Sequence, residues 1–236
     1  MRNQVFMVIM ATLFGVQLSY GQFLNRERLA NLETFDSRPT SWGYFLGFNN
    51  YDFNFDYDRE FQSDNTDVIV ESQPGFNVGL IGDLRINKYL NLRLEPGIYF
   101  TQRDLTFPRI EEEADYFRAV KSTYVHLPLL LKISTKRLNN FKPFVLAGIA
   151  KSINLGSNET NPEDNYFGQF RMRRNTNYYE LGFGIDFYLY YFKFTPSIRG
   201  VFGLNDELVR DKNPDSAWTS NIEKMSSRGV FINFTI

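Results

Sequence analysis

The side chains best suited to chemistry in this chain are ionisable residues set among apolar ones. His126 is the only histidine, and the chain contains no cysteine. Any triad or metal site that needs an imidazole therefore depends on His126, and thiolate chemistry is excluded. His126 stands between Val125 and Leu127. We interpret it as a polar residue that fills a protein interior, with a role in a lipid-modifying enzyme as the alternative.

Two other motifs have simple explanations. The run Glu111–Glu113 with Asp115 could gather a hard cation such as calcium, but it lacks the glycine and the ligand spacing of a calcium loop. A solvated, charged loop is predicted there. Gly182 and Gly184 resemble part of a dinucleotide-binding motif, yet they lie in the middle of a predicted strand. The sequence therefore predicts no catalytic residue, no metal site and no cofactor, and a protein that is not an enzyme.

A basic cluster lies in one of the long polar segments and consists of Arg171, Arg173 and Arg174. Arginine side chains bind phosphate groups well, so this cluster could contact lipopolysaccharide phosphates or a partner protein. It could equally serve only to keep the segment soluble. Both interpretations stay open on the sequence.

The elements that must position these residues are predicted from a period of two. In residues 90–101, apolar residues at even positions alternate with mostly polar or small residues at odd positions. Successive side chains of a strand point to opposite faces, so each such segment has one apolar and one polar face. Eight such segments are found between Trp42 and Ile236. In the first of them the apolar residues change phase after Asn49 and Asn50, which predicts a β-bulge.

The connections decide between a soluble sandwich and a membrane barrel. Long polar connections are predicted near 56–67, 102–118, 156–175 and 206–224, and short ones at 87–89, 136–141 and 190–191. Long and short connections alternate strictly, so all the long ones lie at one end, as in outer-membrane barrels. We therefore predict an all-β fold, an eight-stranded antiparallel transmembrane outer-membrane β-barrel over residues 40–236, with both termini in the periplasm.

The composition agrees with this fold. Aromatic residues make up 17% of the chain, with 24 Phe and 14 Tyr, which suits strands and the interfacial girdles of barrels. The formal net charge of −1 argues against a nucleic-acid partner. Outer-membrane lipid and lipopolysaccharide are the expected surroundings.

The polar faces of the strands predict what lies inside the barrel. An eight-stranded barrel is only wide enough for side chains to fill, and an unpaired charge in such an interior is costly. We therefore predict a polar network in the lumen whose members bond to one another, and no conduit for protein. The predicted members are Asp83, Arg85, Arg93, Glu95, His126, Lys132, Glu180, Asp186, Lys193 and Arg199.

The first residues of the chain are predicted to be a signal peptide. Residues 1–21 carry the basic residue Arg2 near their start, continue with an apolar stretch over 5–18, and contain small residues near their end. We predict cleavage between Gly21 and Gln22, with a membrane anchor as the alternative. Residues 22–39 are then a periplasmic N-terminal segment, for which a flexible tail is favoured over a short helix.

Four stretches of the chain resemble the PorT (SprT) family of outer-membrane barrels from the Bacteroidota. They are Phe35–Phe53, Gln73–Phe107, Ser122–Gly148 and Tyr179–Leu204. The second is the most specific, because it contains the runs Pro-Gly-Phe-Asn-Val-Gly and Leu-Arg-Leu-Glu-Pro-Gly. The resemblance covers nearly the whole mature chain apart from the long loops.

This resemblance implies an accessory component of the type IX secretion system, needed for protein export and for gliding motility where that occurs. It implies other secretion components as partners and assigns no catalytic residue. Because the predicted lumen is filled, such a protein would act through its rim, its loops or its periplasmic face. The alternative function is a stand-alone small outer-membrane barrel for adhesion or ligand binding.

Overall fold

The computed structural model describes residues 30–57, 67–108, 110, 116–161, 163–165, 170–213, 216 and 218–236. The predicted signal peptide (1–21), the first part of the N-terminal segment (22–29) and the acidic run 111–115 lie outside the described residues. No helix in the described part of the chain is long and apolar enough to cross a membrane.

The described residues form nine β-strands, preceded by one short 3-10 helix at Phe35–Ser37. The strands are β1 (Thr40–Tyr57), β2 (Ile69–Arg85), β3 (Leu90–Leu94), β4 (Gly97–Thr106), β5 (Phe117–Ser134), β6 (Phe141–Asn154), β7 (Asn175–Tyr188), β8 (Lys193–Gly203) and β9 (Ile222–Thr235). Strands that follow one another along the chain pair in antiparallel fashion, except that β3 and β4 do not pair with each other, and β9 pairs with β1. The sheet is therefore a closed barrel.

The barrel wall has eight positions, which we call staves, and the third of them is interrupted. β3 and β4 both lie between β2 and β5, and only Glu95 and Pro96 separate them. Pro96 has no N–H to donate, but its carbonyl accepts a 2.9 Å hydrogen bond from Leu80 N–H, so the sheet stays continuous. The ring has eight staves, which confirms the predicted fold, although the single unbroken strand expected over residues 90–101 is wrong.

The strands are longer than the sequence pattern indicates. β4 runs to Thr106 and β5 begins at Phe117, so the ends of the predicted long connection 102–118 are parts of strands. β2 begins at Ile69, directly after the predicted connection 56–67. We call the end with the turns 86–89, 135–140 and 189–192 the short-turn end, and the opposite end the long-loop end.

The change of phase in β1 is a change of face, and the predicted bulge is wrong. The pairing of β1 with β2 and β9 continues without a shift through Asn49 and Asn50. Before this point the alternating apolar residues from Trp42 to Phe48 point outward, and Phe48 has 62% of its surface exposed, while Phe45 between them points inward. After it they point inward, as Tyr51 (0%) and Phe53 (3%) do. The polarity of the barrel therefore inverts at this level.

The outer face of the short-turn half carries a continuous apolar band. Its members include Trp42, Tyr44, Leu46, Phe48, Phe76, Val78, Leu80, Leu127, Leu129, Val145, Ile149, Leu181, Phe183, Val230 and Ile232, all exposed. Pairs of stacked rings lie at the edge of this band nearest the long-loop end. Phe76 stacks on Phe100 at 4.5 Å between ring centroids, and Tyr179 stacks on Phe202 at 4.9 Å. An outward apolar band with aromatic edges is what lipid contact requires.

The long-loop half has the opposite arrangement. Most of its outer face is polar, with Ile69 and Phe117 as exposed apolar exceptions, and it carries the ion pair of Arg228 with Asp52. Its interior holds a buried apolar cluster, which we call the upper core: Phe53, Val68, Leu105, Phe107, Val120, Phe170, Met172, Leu208, Ile222 and Met225. This half therefore has the polarity of a soluble barrel, and its apolar interior closes the lumen at the long-loop end.

Candidate functional site

A chain of ion pairs fills the lumen within the apolar band. Arg93 binds both carboxylate oxygens of Asp83, each at 2.8 Å, and donates from Nη1 to Glu95 at 3.1 Å. Glu95 also accepts from Arg199 Nη1 at 2.7 Å, and Arg199 Nε lies 3.2 Å from Glu180. All five side chains are at most 4% exposed. Each buried charge therefore has an opposite partner, as its burial demands.

His126 extends this chain to the neighbouring staves. Its Nε2 lies 2.6 Å from Glu180 Oε1, and its Nδ1 lies 2.5 Å from Ser152 Oγ. A serine, a histidine and a carboxylate in a row form the arrangement used in acyl transfer. All three residues are 0% exposed, so no substrate can approach Ser152 in this structure. Here the imidazole links two polar side chains across the interior.

The remaining predicted members divide into two groups. Lys132 Nζ binds Asp186 at 2.6 Å, and Thr195 donates to the other oxygen of Asp186 at 2.8 Å. Arg85 and Lys193 are only half-buried and lie at the short-turn end. The structure thus brings eight of the ten residues into buried ion pairs or hydrogen bonds and leaves these two beside the network.

Sequence reasoning missed a second polar cluster above the first. Arg103 is fully buried and donates to Tyr124 Oη at 2.6 Å and to Ser227 Oγ at 3.0 Å. Its guanidinium lies 3.8 Å above the ring of Phe53. Glu207 reaches in from a loop and accepts two hydrogen bonds from Ser227, at 2.7 and 2.9 Å. The signal for Arg103 is its position, because it continues the inward-facing odd-numbered positions of the third stave beyond Tyr99 and Thr101.

The layer between the two clusters is also filled. Asn49 donates to Asn77 at 3.3 Å, and Asn77 donates to Asn233 at 2.7 Å. Beside them, Phe231 contacts the ring of Tyr99 at 4.8 Å between centroids. Polar and aromatic side chains together therefore fill the lumen from the short-turn end up to the upper core.

The short-turn end is covered by residues 31–39, which we call the strap. Asn31 N–H donates to Asn140 Oδ1 at 2.8 Å, and the Asn31 side chain donates to the carbonyl of Tyr188 at 3.1 Å. The guanidinium of Arg137 donates to the carbonyls of Asn31 and Leu32. These contacts hold the strap against the barrel, so the favoured flexible tail is wrong for this part of residues 22–39.

Aromatic and ionic contacts add to these hydrogen bonds. Phe35 packs edge-on against Tyr188 at 6.3 Å, and the guanidinium of Arg137 lies 3.7 Å over the Tyr188 ring. Asp36 accepts from Tyr188 Oη at 2.6 Å and lies 3.6 Å from Lys142 Nζ. The 3-10 helix of the strap therefore brings an aromatic ring and a carboxylate over the opening of the lumen.

The basic cluster of the third long loop is not a single surface. Arg171 is buried and binds Asp211 at 2.8 Å and Asp164 at 3.4 Å, which ties this loop to the fourth long loop. Its burial and its two carboxylate partners remove it from any phosphate site. Arg173 and Arg174 are exposed. Of the three arginines, only these two are therefore accessible to a phosphate group or a partner protein.

Asp164 holds the same two loops together through their backbones. It accepts hydrogen bonds from the backbone N–H groups of Lys212, at 2.8 Å, and Asn213, at 3.2 Å. The hydrogen bond from Lys212 is the main reason that the pKa of Asp164 is lowered. The pKa of Glu207 is shifted in the opposite direction, because burial of its carboxyl group raises it.

We expect the contact at Asp164 to weaken in acid. A carboxylate whose pKa is lowered by folding gives its full stabilisation above its unfolded pKa, about 4, and loses it as the pH falls through the folded value. Hydrogen-exchange protection of the Lys212 and Asn213 amides should therefore fall below about pH 4. In Asp164→Asn the protection should be lower at neutral pH and lose this acid step. An unchanged acid step in the variant would contradict the assignment.

No group of three or more His, Asp or Glu side chains in the described part of the chain is placed to hold a metal ion. The candidate site is therefore the pair of barrel ends. One end is covered by the strap, and the other is formed by the upper core and the tied long loops.

Solved structures of several bacterial proteins are similar to this chain in fold. The outer membrane protein OprG from Pseudomonas aeruginosa is 13% identical, with 83% of this chain and 95% of that chain covered and a TM-score of 0.46. Neisserial surface protein A is 8% identical, with 84% and 99% covered and a TM-score of 0.43. Ail from Yersinia pestis is 11% identical, with 84% and 97% covered and a TM-score of 0.36.

Among curated proteins, none matches the chain. The family comparison is more informative, because the model of the outer membrane protein beta-barrel domain matches residues 21–209, well over half of the 236-residue chain. The match includes the staves that carry the lumen network from Asp83 to Arg199. The chain therefore belongs to the outer membrane protein beta-barrel domain family.

Proposed function

We propose that this protein is a non-enzymatic outer-membrane barrel that works by binding at its two ends and does not act as a conduit. The observation that carries this proposal is the filled lumen, with a buried ion-pair chain in the middle, the strap over one end and the upper core at the other. In the proposed orientation the short-turn end and both termini face the periplasm, as in barrels of this type.

The absence of a conduit can be measured directly. We expect the purified full-length protein in planar lipid bilayers to give no large, stable conductance, because opening a path would require breaking the Arg93 and Arg199 ion pairs together. A porin reconstituted in the same way is the positive control. A steady large conductance from the folded barrel would contradict the proposal.

The first candidate function is adhesion or ligand binding at the long-loop end. The polar outer face of this half and the loops tied together by Arg171 give a folded surface that extends beyond the apolar band. Arg173 and Arg174 are exposed beside this tie. Lipopolysaccharide phosphates at the outer leaflet are the proposed contacts for these two side chains.

The second candidate is an accessory role in type IX protein secretion, and in gliding motility where it occurs. The observation that favours it is the resemblance of Gln73–Phe107 to the PorT family. In this role the protein binds other secretion components through its rim, its loops or the periplasmic face that carries the strap. No catalytic residue or cofactor is needed for it.

A gene deletion in the source bacterium separates the two candidates. Loss of secreted cargo, with cargo accumulating in the periplasm, supports the secretion role, and normal secretion rejects it. Complementation with an Arg173→Glu/Arg174→Glu variant then tests the long-loop surface. If this variant restores secretion but not surface binding, adhesion or ligand binding is the function of that end.

A further inference from the structure

A small cavity lies between the strap and the lumen at the short-turn end. Its volume is about 30 Å³, and its lining includes Arg38 from the strap, Arg85 from the end of β2 and Lys193 from the start of β8. The side chain of Asn91, opposite Arg85 in the β2–β3 pair, adds a polar group. The cavity therefore gathers cationic and polar side chains from separate parts of the chain.

The carboxylates that line this cavity are already occupied by other cations. Asp83 binds Arg93 at 2.8 Å, Asp186 binds Lys132 at 2.6 Å, and Asp36 lies 3.6 Å from Lys142. Each of the three carboxylates in the lining therefore has a nearer cation than Arg38, Arg85 or Lys193. An excess of positive charge follows from this pairing.

The three remaining cations are Arg38, Arg85 and Lys193. Among the described residues, none of the three has a carboxylate oxygen within 4.0 Å. The guanidinium of Arg38 and the ammonium of Lys193 lie over the ring of Phe35, at 5.4 and 4.7 Å from its centroid. Three positive charges in a cavity with low-dielectric walls attract anions more strongly than the same charges in open water would.

We propose that this cavity binds an oxyanion of the phosphate type. The planar guanidinium groups of Arg38 and Arg85 match pairs of oxygens on such an anion, and Lys193 adds a point charge. A volume of about 30 Å³ admits the oxygens of a phosphate group from the open side. The phosphate can belong to a free ion or to the headgroup of an anionic lipid in the adjacent leaflet.

The strap is part of this site, because it supplies Arg38 and the covering ring of Phe35. An anion bound there stabilises the docked strap, since Arg38 belongs to the strap and would also contact the anion. Binding and docking are then coupled, and each strengthens the other by the same factor. This inference does not depend on the proposed function, because it concerns a site inside the mouth and not the partner of either end.

The test uses the full folded chain and two phosphate sources. Inorganic phosphate is titrated by calorimetry into protein in neutral detergent, and lipid retention is measured by native mass spectrometry from nanodiscs of phosphatidylglycerol or phosphatidylcholine. Arg85→Gln and Lys193→Gln should each weaken binding at least tenfold. Lys193→Arg should restore it, and Lys121→Gln, which removes a positive charge from the outer face, should leave it unchanged.

Each outcome decides the proposal. Binding of inorganic phosphate that is lost in both glutamine variants supports the site with a free ion as its ligand. Retention of phosphatidylglycerol alone, lost in the same variants, supports the site with a lipid headgroup. Binding to neither source overturns the proposal, as does equal binding by wild type and both glutamine variants with normal heat-modifiable gel mobility.

Discussion

Replacing Arg199 by methionine is expected to lower the free energy of unfolding by about 3–5 kcal/mol. Arg199 lies between Glu95, at 2.7 Å, and Glu180, at 3.2 Å, and its side chain is 2% exposed. Its removal leaves two buried carboxylates without this partner. Methionine preserves much of the volume, so the loss reports the uncompensated charges rather than a cavity.

The matched control is Arg228→Met. Arg228 also pairs with an aspartate, Asp52, at 2.8 Å, but its side chain is 55% exposed. An exposed pair contributes about 0–1 kcal/mol, so this variant should unfold almost as the wild type does. Urea titration of the refolded barrel in detergent, followed by tryptophan fluorescence, measures both. Equal losses in the two variants would show that the lumen network is not what stabilises the barrel.

Phe231→Ala is expected to cost about 3–5 kcal/mol of unfolding free energy, for a different reason. Phe231 is 0% exposed and packs against Tyr51 at 5.2 Å, Tyr99 at 4.8 Å and His126 at 5.7 Å. Truncating this ring leaves a cavity at the centre of the lumen, where the closed sheet limits any collapse. The lost contacts and the cavity add to the cost.

The control for this prediction lies three residues further along the same strand. Phe234 points outward and is 38% exposed, so in Phe234→Ala lipid or detergent replaces the lost contacts. Its loss of stability should be clearly smaller under the same urea titration. If Phe234→Ala were the more damaging change, the assignment of the inner and outer faces of β9 would be wrong.

Much of the fold follows from the sequence because alternation is a local signal. Every second residue of a strand faces the same side, so the polar set from Asp83 to Arg199 and the apolar set from Leu46 to Ile232 could be separated without a structure. The count of alternating segments then predicts eight staves, and the order of long and short connections favours a membrane barrel over a soluble sandwich. The lumen residues share a face by this rule, but their partners depend on how distant staves meet.

The inversion at Asn49 and Asn50 shows where this reasoning fails. A one-residue change of phase looks the same in the sequence whether the strand bulges or the environment of its two faces is exchanged. We assumed one environment along the whole strand and therefore predicted a bulge. Arg103 escapes the prediction for a related reason, because the polar run around it is typical of a loop but here continues a strand whose outer side faces water.

The strap could not be predicted because its contacts are far apart in the chain. Asn31 meets Asn140 and Tyr188, which are 109 and 157 residues away. A segment this short gains little from local helix formation, and its order comes from the barrel end on which it docks. The cavity has the same origin, since Arg38 joins Arg85 and Lys193 through the docking of the strap on the barrel.

The inversion of polarity also fixes how deep the barrel sits. On β1 the outer face changes from Phe48 to Asn50, and on β9 it changes from Val230 to Arg228, which lies opposite Asp52. If the barrel moved deeper into the membrane, Arg228 would approach the hydrocarbon, where a lipid-facing arginine costs up to about 2–4 kcal/mol at the midplane. If the barrel moved outward, Phe48 would be exposed to water. Where the bilayer is thicker or thinner than the band, the surrounding lipids must stretch or compress to meet it.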